Sequence, residues 1–157
     1  MKIRKGTRHD INRVLKMSGE FIEEYRKSVK METDVSINTA LKFKKKILEK
    51  DLKSGHGAIF IVEENKNFIG YIFVLTFTPE MESCKKYSPG YISDLHICKK
   101  YRRRGLGVML IKEAERWLRV KKKEKVSLDV SIFNKKAIHL YKKLKFKDKS
   151  IKLEKKL

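Results

Sequence analysis

Glutamine is absent from this chain of 157 residues, cysteine occurs twice, and 19 acidic side chains face 40 lysines and arginines. Each shortage excludes something. Cys84 and Cys98 have neither C-x-x-C spacing nor a histidine pattern beside them, so reduced thiols are expected and no metal. The longest apolar run, Phe68 to Phe77, falls far short of the roughly 20 residues a spanning helix needs. The opening Met1-Lys2-Ile3-Arg4-Lys5 has no apolar signal core. A cytoplasmic protein with no membrane partner is therefore expected. The P-loop pattern G-x-x-x-x-G-K-[ST] is missing throughout, so nucleotide hydrolysis has no motif to rest on.

The shortage of acids leaves a formal net charge of +21. A field of that sign attracts polyanions, whether a phosphorylated ligand, nucleic acid or the ribosome. The missing glutamine and the abundance of Lys, Glu and Ile also match the composition of heat-adapted proteins, which offers a second source for the lysines. Runs such as Lys44-Lys45-Lys46 and Lys121-Lys122-Lys123 read as solvated helix faces. Apolar residues, at 41%, suffice for one core, and residues 1–157 are expected to form one domain.

The most informative stretch present is Tyr101-Arg102-Arg103-Arg104-Gly105-Leu106-Gly107-Val108-Met109-Leu110. Before it, Tyr91 to Ile97 follows a Ser88-Pro89-Gly90 breaker and reads as a strand. After it, Leu106, Leu110, Ala114, Trp117 and Leu118 recur at helical spacing. Glycines 105 and 107 allow close backbone approach to an anion, and the helix behind them offers free N–H groups and a positive dipole end. The dinucleotide fingerprint fails here, because Leu110 stands where a small residue is needed.

What remains is R-x-x-G-x-G at Arg102, Gly105 and Gly107. Downstream, Val126-Ser127-Leu128-Asp129-Val130 alternates as a strand and leads into Asn134-Lys135-Lys136-Ala137-Ile138-His139-Leu140-Tyr141 and on to Phe146. From Tyr91 to Phe146 the chain resembles the coenzyme-binding half of the GNAT superfamily of N-acetyltransferases, with its [QR]-x-x-G-x-[GA] loop and N-x-x-A-x-x-L-Y helix. It departs from the family pattern in having Lys99 in place of a common proline and Lys145 in place of a common glycine. Ser93 and Asp94 stand where a glutamate often serves as base.

The resemblance implies a three-layer α/β/α domain around a central mixed, mostly antiparallel sheet. The order of elements agrees: a short strand at Lys2 to Arg4, a helix capped by Asp10, a helix from about Asn38 to Lys53, and a hairpin of Ala58 to Glu63 and Phe68 to Phe77. The Tyr91 strand, the long helix, the Val126 strand, the Asn134 helix and a final strand pair within Lys145 to Leu157 follow. It also implies acetyl-CoA as acetyl donor and a primary amine as acceptor. That amine is foremost a protein N-terminus or lysine, with a small amine or polyamine as the alternative. A basic nucleic-acid-binding module on the same fold is the reading from another class. Oligomeric state is not legible.

Roles follow from the chemistry of acyl transfer. Backbone N–H groups of Arg103, Arg104, Gly105, Leu106, Gly107 and Val108, beside Arg102, are expected to cradle the pyrophosphate. The strand edge at Leu95, His96 and Ile97 is expected to pair with the amide-bearing arm, and an N–H there to polarise the thioester. Asn134 caps its helix or bonds that arm. Tyr141 is the candidate general acid, since a phenol is protonated at neutral pH, although it also falls on an apolar helix stripe. Asp94 is the favoured base, with His96 on the same strand face and Ser93 on the other. Glu20, Glu23, Glu24, Glu80 and Glu82 lie near segments that in the resembled family wall the acceptor cleft, and the resemblance implies an acidic patch there.

Overall fold

The structure is a computed structural model that describes residues 1–29, 35–77 and 89–151 together with 153 and 155. Among the described residues, alternating and continuous apolar runs give the strands β1 (Lys2–Lys5), β2 (Gly57–Glu64), β3 (Asn67–Leu75), β4 (Gly90–Ile97) and β5 (Val126–Ser127). They form one sheet in the order β1-β2-β3-β4-β5, antiparallel except for the parallel β4–β5 pair. Among the described residues the α-helices are α1 (Ile11–Val29), α2 (Ile37–Ser54), α3 (Leu106–Val120) and α4 (Lys135–Lys143). The three-layer, mostly antiparallel expectation holds.

Each face of the sheet has its own core. Ala58, Phe60 and Val62 of β2 with Ile72 and Val74 of β3 meet Leu106, Leu110, Ile111, Ala114 and Leu118 of α3, and Leu140, Tyr141 and Leu144 of α4 close over the same cluster. On the other face Ile59, Ile61, Tyr71, Phe73 and Leu75 meet Ile11, Val14 and Met17 of α1 and Leu48 of α2. Period two in the strands and period 3.6 in the helices bring these residues together. Each fully buried leucine or isoleucine contributes about 1.5–3 kcal/mol through removal from water.

Three local expectations change. Asp10 does not cap α1. The cap is Thr7, which opens a short 3-10 turn at Arg8–Asp10, and the Asp10 carboxylate reaches back to accept from the Thr7 N–H at 2.9 Å and from Arg4 at 2.7 Å. Those bonds hold its pKa down at about 2, the Arg4 hydrogen bond first. The Val126 strand stops after Ser127, because β4 leaves its neighbour there. No strand is present among the described residues of 145–157. Ile151 and Leu153 are 82% and 89% exposed, so their alternation with lysines finds no core to pack on.

Two bulges shape the sheet. Between β2 and β3 the register steps from Val62↔Gly70 to Glu63↔Phe68, leaving Ile69 extra. Between β3 and β4 it steps from Phe73↔Asp94 to Val74↔Ile92, leaving Ser93 extra. A bulge bends its strand and steepens the local twist. The one at Ser93 lies just past the last residue of β4 that pairs with β5.

Candidate active site

The site starts from that bend. β5 pairs only with Gly90 and Tyr91, so from Ile92 to Ile97 β4 has β3 on one side and no strand on the other among the described residues. Asp129, just after β5, is held aside by a 2.8 Å bond from the Tyr91 hydroxyl. The two parallel strands therefore fork, and a row of β4 backbone groups lines the gap.

The fork opens beside the N-terminus of α3. Cys98 leads into a 3-10 turn, Lys99–Tyr101, after which Arg103 (φ 69°) and Gly105 (φ 76°) both take the left-handed conformation. For an arginine this costs roughly 1–3 kcal/mol, the kind of strain that gathers at functional sites. The first helical bond runs from the Met109 N–H to the Gly105 carbonyl at 3.1 Å, and no side chain caps the helix. The amides of Leu106, Gly107 and Val108 are thus left pointing outward with the positive end of the dipole. A Cβ placed on Gly105 would meet nothing within 4 Å, whereas on Gly107 it would meet Leu140 at 3.3 Å. Gly105 is favoured by its backbone angle, and at Gly107 an added Cβ would press on the Leu140 side chain of α4.

The three arginines divide their work. Arg102 turns inward, sharing two 2.6 Å bonds with the Glu24 carboxylate of α1 and giving its Nε–H to the Ile97 carbonyl at 2.9 Å. It staples α1 to the end of β4, so what it offers an anion is its place in the turn and not a spare guanidinium. Arg104 lies over the Tyr101 ring, and Arg103 is exposed.

The strand's side chains part between the layers. Leu95 and Ile97 pack toward α3 and α4; Asp94 and His96 face α1 and α2. His96 is buried, with its ring 5.1 Å from Phe21. Burial, with the nearby Arg102 charge, pulls its pKa down to about 4, so the imidazole is neutral and a weak base at neutral pH. The Asp94 carboxylate accepts a 2.6 Å bond from the Lys44 ammonium. Lys44 also reaches the Tyr71 hydroxyl at 3.4 Å, and that hydroxyl bonds Ser18 at 2.6 Å. Burial and the Asp94 charge push the Tyr71 phenol well up.

From the opposite layer α4 brings Tyr141. Asn134 caps this helix by accepting from the Ala137 N–H at 3.2 Å. At its other end the Phe146 N–H bonds the Tyr141 carbonyl and the Lys145 N–H bonds that of Lys142. This is a Schellman close, with Lys145 left-handed at φ 65° where the family commonly has glycine. The Phe146 ring packs 5.6 Å from that of Tyr141 and fixes its direction. The Tyr141 hydroxyl has no hydrogen-bond partner among the described residues, and burial followed by the Asp94 charge pushes its pKa up to about 12.

Asp94, Leu95–Ile97, the 102–108 turn and Tyr141 are therefore gathered around one gap. The contacts of Lys44, Tyr71 and Ser18 around Asp94 were not legible in the sequence. Lys44 belongs to a run that reads as a solvated face, yet its side chain is only 19% exposed. The signal available was its position one turn before the fully buried Leu48, on the inward stripe of α2. In the acidic patch, Glu24 is committed to Arg102, Glu20 and Glu23 are exposed, and Glu80 and Glu82 lie outside the described residues. Among the described residues no three His, Cys, Asp or Glu side chains gather to hold a metal, and no helix is long and apolar enough to cross a membrane.

A sheet forked beside an uncapped, glycine-turned helix N-terminus sets an anion site next to a free strand edge. The chain belongs to the acetyltransferase (GNAT) family, whose profile matches residues 20–146. An N-alpha-acetyltransferase of Sulfurisphaera tokodaii is 33% identical over 106 residues, covering 62% of this chain and 60% of that protein. The chain thus matches less than two thirds of that relative's length. A Bacillus halodurans protein solved as a point mutant has a TM-score of 0.81 at 19% identity, over 100% of this chain and 99% of that one. A structure described as a predicted acetyltransferase with acetyl-CoA from Clostridium acetobutylicum has a TM-score of 0.75 at 20% identity, over 99% of this chain and 95% of that one. At such identities these two likenesses speak to the fold alone.

Proposed function

We propose that this chain, acting as one domain, transfers an acetyl group from acetyl-CoA to a primary amine, foremost a protein N-terminus or lysine side chain. The observation that carries the reading is the fork between β4 and β5 opening onto the uncapped amides of α3. A ligand that ends in phosphates and continues as an amide-bearing arm fits both halves of that shape: anion at the helix end, added strand along Leu95 to Ile97. The open space beside Gly105 leaves room for the phosphates against the backbone.

The remaining groups supply the proton chemistry. An N–H of the β4 edge polarises the thioester carbonyl. Tyr141, protonated at neutral pH, donates to the departing sulfur. Asp94 accepts the proton of the incoming ammonium, a task His96 performs poorly because its buried ring binds protons weakly. The relative named for N-alpha-acetylation favours a protein N-terminus over a polyamine or another small amine.

The test is calorimetric titration with acetyl-CoA, followed by transfer to a panel of peptides with free or blocked N-termini and polyamines. Donor binding with transfer to unblocked peptides is the expected result. No donor binding at micromolar concentrations, together with salt-sensitive binding to RNA, would instead favour a basic nucleic-acid module on this fold.

A further inference from the structure

We propose that Lys44 is itself acetylated by this active site, and that the modification releases Asp94 for external acceptors. The inference rests on the transfer reading above and deepens it. Asp94 is the carboxylate best placed to receive an acceptor's proton, yet it is already paired with the Lys44 ammonium at 2.6 Å. That ammonium comes from α2, on the sheet face opposite Tyr141, and ends beside the strand whose free edge would hold the donor. It therefore stands where an acceptor amine has to arrive. Among the described residues no other lysine forms an ion pair with a residue of β4.

The pairing has two consequences. A second ammonium approaching Asp94 meets a pair whose opposite charges cancel, so it gains little from the carboxylate. The resident amine is also held in contact with the base, which is the geometry a nucleophile requires. Lys44 loses one ammonium proton to Asp94, and its nitrogen attacks the thioester carbonyl carbon. As the C–N bond forms and the C–S bond breaks, Tyr141 gives its proton to the sulfur; the second nitrogen proton returns to the phenolate through water. One amide and one thiol form, and Asp94 passes one proton to solvent. The product side chain is neutral, and the Asp94 charge becomes available to an incoming ammonium.

Lys45 supplies an internal control. It adjoins Lys44 in sequence and its side chain is 50% exposed against 19% for Lys44, so uncatalysed acetylation by a thioester favours Lys45. The experiment incubates the full chain with acetyl-CoA alone, follows the mass of the intact protein, and maps the modified peptides over time. Lys44 is expected to gain its acetyl group roughly a hundredfold faster than Lys45, and Tyr141→Phe to slow Lys44 by about the same factor while leaving Lys45 alone. With a peptide acceptor, wild-type protein is expected to show a lag that pre-incubation with donor removes. Lys44→Gln, which resembles the acetylated side chain, should show no lag, and Lys44→Arg, which keeps the pair, should remain in the slow phase. Equal, slow modification of Lys44 and Lys45 by a preparation that acetylates the peptide would overturn the proposal and leave the transfer reading standing. Donor binding with transfer neither to Lys44 nor to any peptide would sink the transfer reading, and this proposal with it.

Discussion

The Tyr141 hydroxyl has no partner among the described residues, and burial, followed by the Asp94 charge, pushes its pKa up to about 12, so the phenol carries a proton free to be donated at neutral pH. Tyr141→Phe keeps the contact with Phe146 and removes the donor alone. Turnover should fall by roughly 10²–10⁴-fold with donor affinity nearly unchanged, read from steady-state rates and calorimetry. The active form is the protonated one, present below the folded pKa, so loss of activity through this group should appear only as pH rises toward 12. His96 has the opposite signature. Its pKa falls from 6.5 to about 4, so the folded state resists protonation. The stability this group contributes is complete above pH 6.5 and declines as pH drops toward 4, by about 3 kcal/mol in all. Denaturant melts of wild type and His96→Phe between these limits should show a shallower acid slope in the variant. Parallel slopes would mean that another group carries the change. Of these single residues, Tyr141 was legible from its motif. Lys44 was not, because a lysine among lysines carries no mark of burial, and only its stripe on α2 separates it from Lys45.

At the scale of elements, the α4 terminus carries a conformational cost that the sequence already hinted at. Lys145 holds the left-handed position of a Schellman close, where a residue with a Cβ costs about 1 kcal/mol relative to glycine. Lys145→Gly should therefore raise unfolding free energy by about 1 kcal/mol, measured by denaturant titration, with Tyr141 still held against Phe146; a loss of stability would mean that the lysine side chain makes an interaction outweighing its strain. The helices and the first four strands were legible because their periodicities are strong and tertiary packing agrees with them. β5 was overestimated because Val126 to Val130 alternates like a strand, while pairing is decided by a partner that bends away at Ser93. That bulge leaves no local trace: Ser93 is an ordinary strand residue until the Phe73↔Asp94 register is known. The missing terminal strands follow from the same logic, since apolar residues alternating with lysines satisfy the pattern but reach no core.

For the whole molecule, a net charge of +21 sets up repulsion that salt screens within about 8 Å at physiological strength. The melting temperature at neutral pH should therefore rise as sodium chloride is added. A fall would show that specific pairs such as Arg4 with Asp10 and Glu63 outweigh the general field. The same charge supplies long-range attraction for an anionic donor, and local geometry decides where that donor stops. The fork between β4 and β5 has one more consequence, for time instead of shape. Amides that face the gap between Ile92 and Ile97 have no neighbouring strand among the described residues to shield them, so their hydrogens should trade with heavy water far sooner than those of the enclosed β2 and β3. A molecule lying in the gap would slow that trade by the fraction of time it stays. The exchange of a few backbone hydrogens would thus record how long each visitor remains, even where no reaction follows.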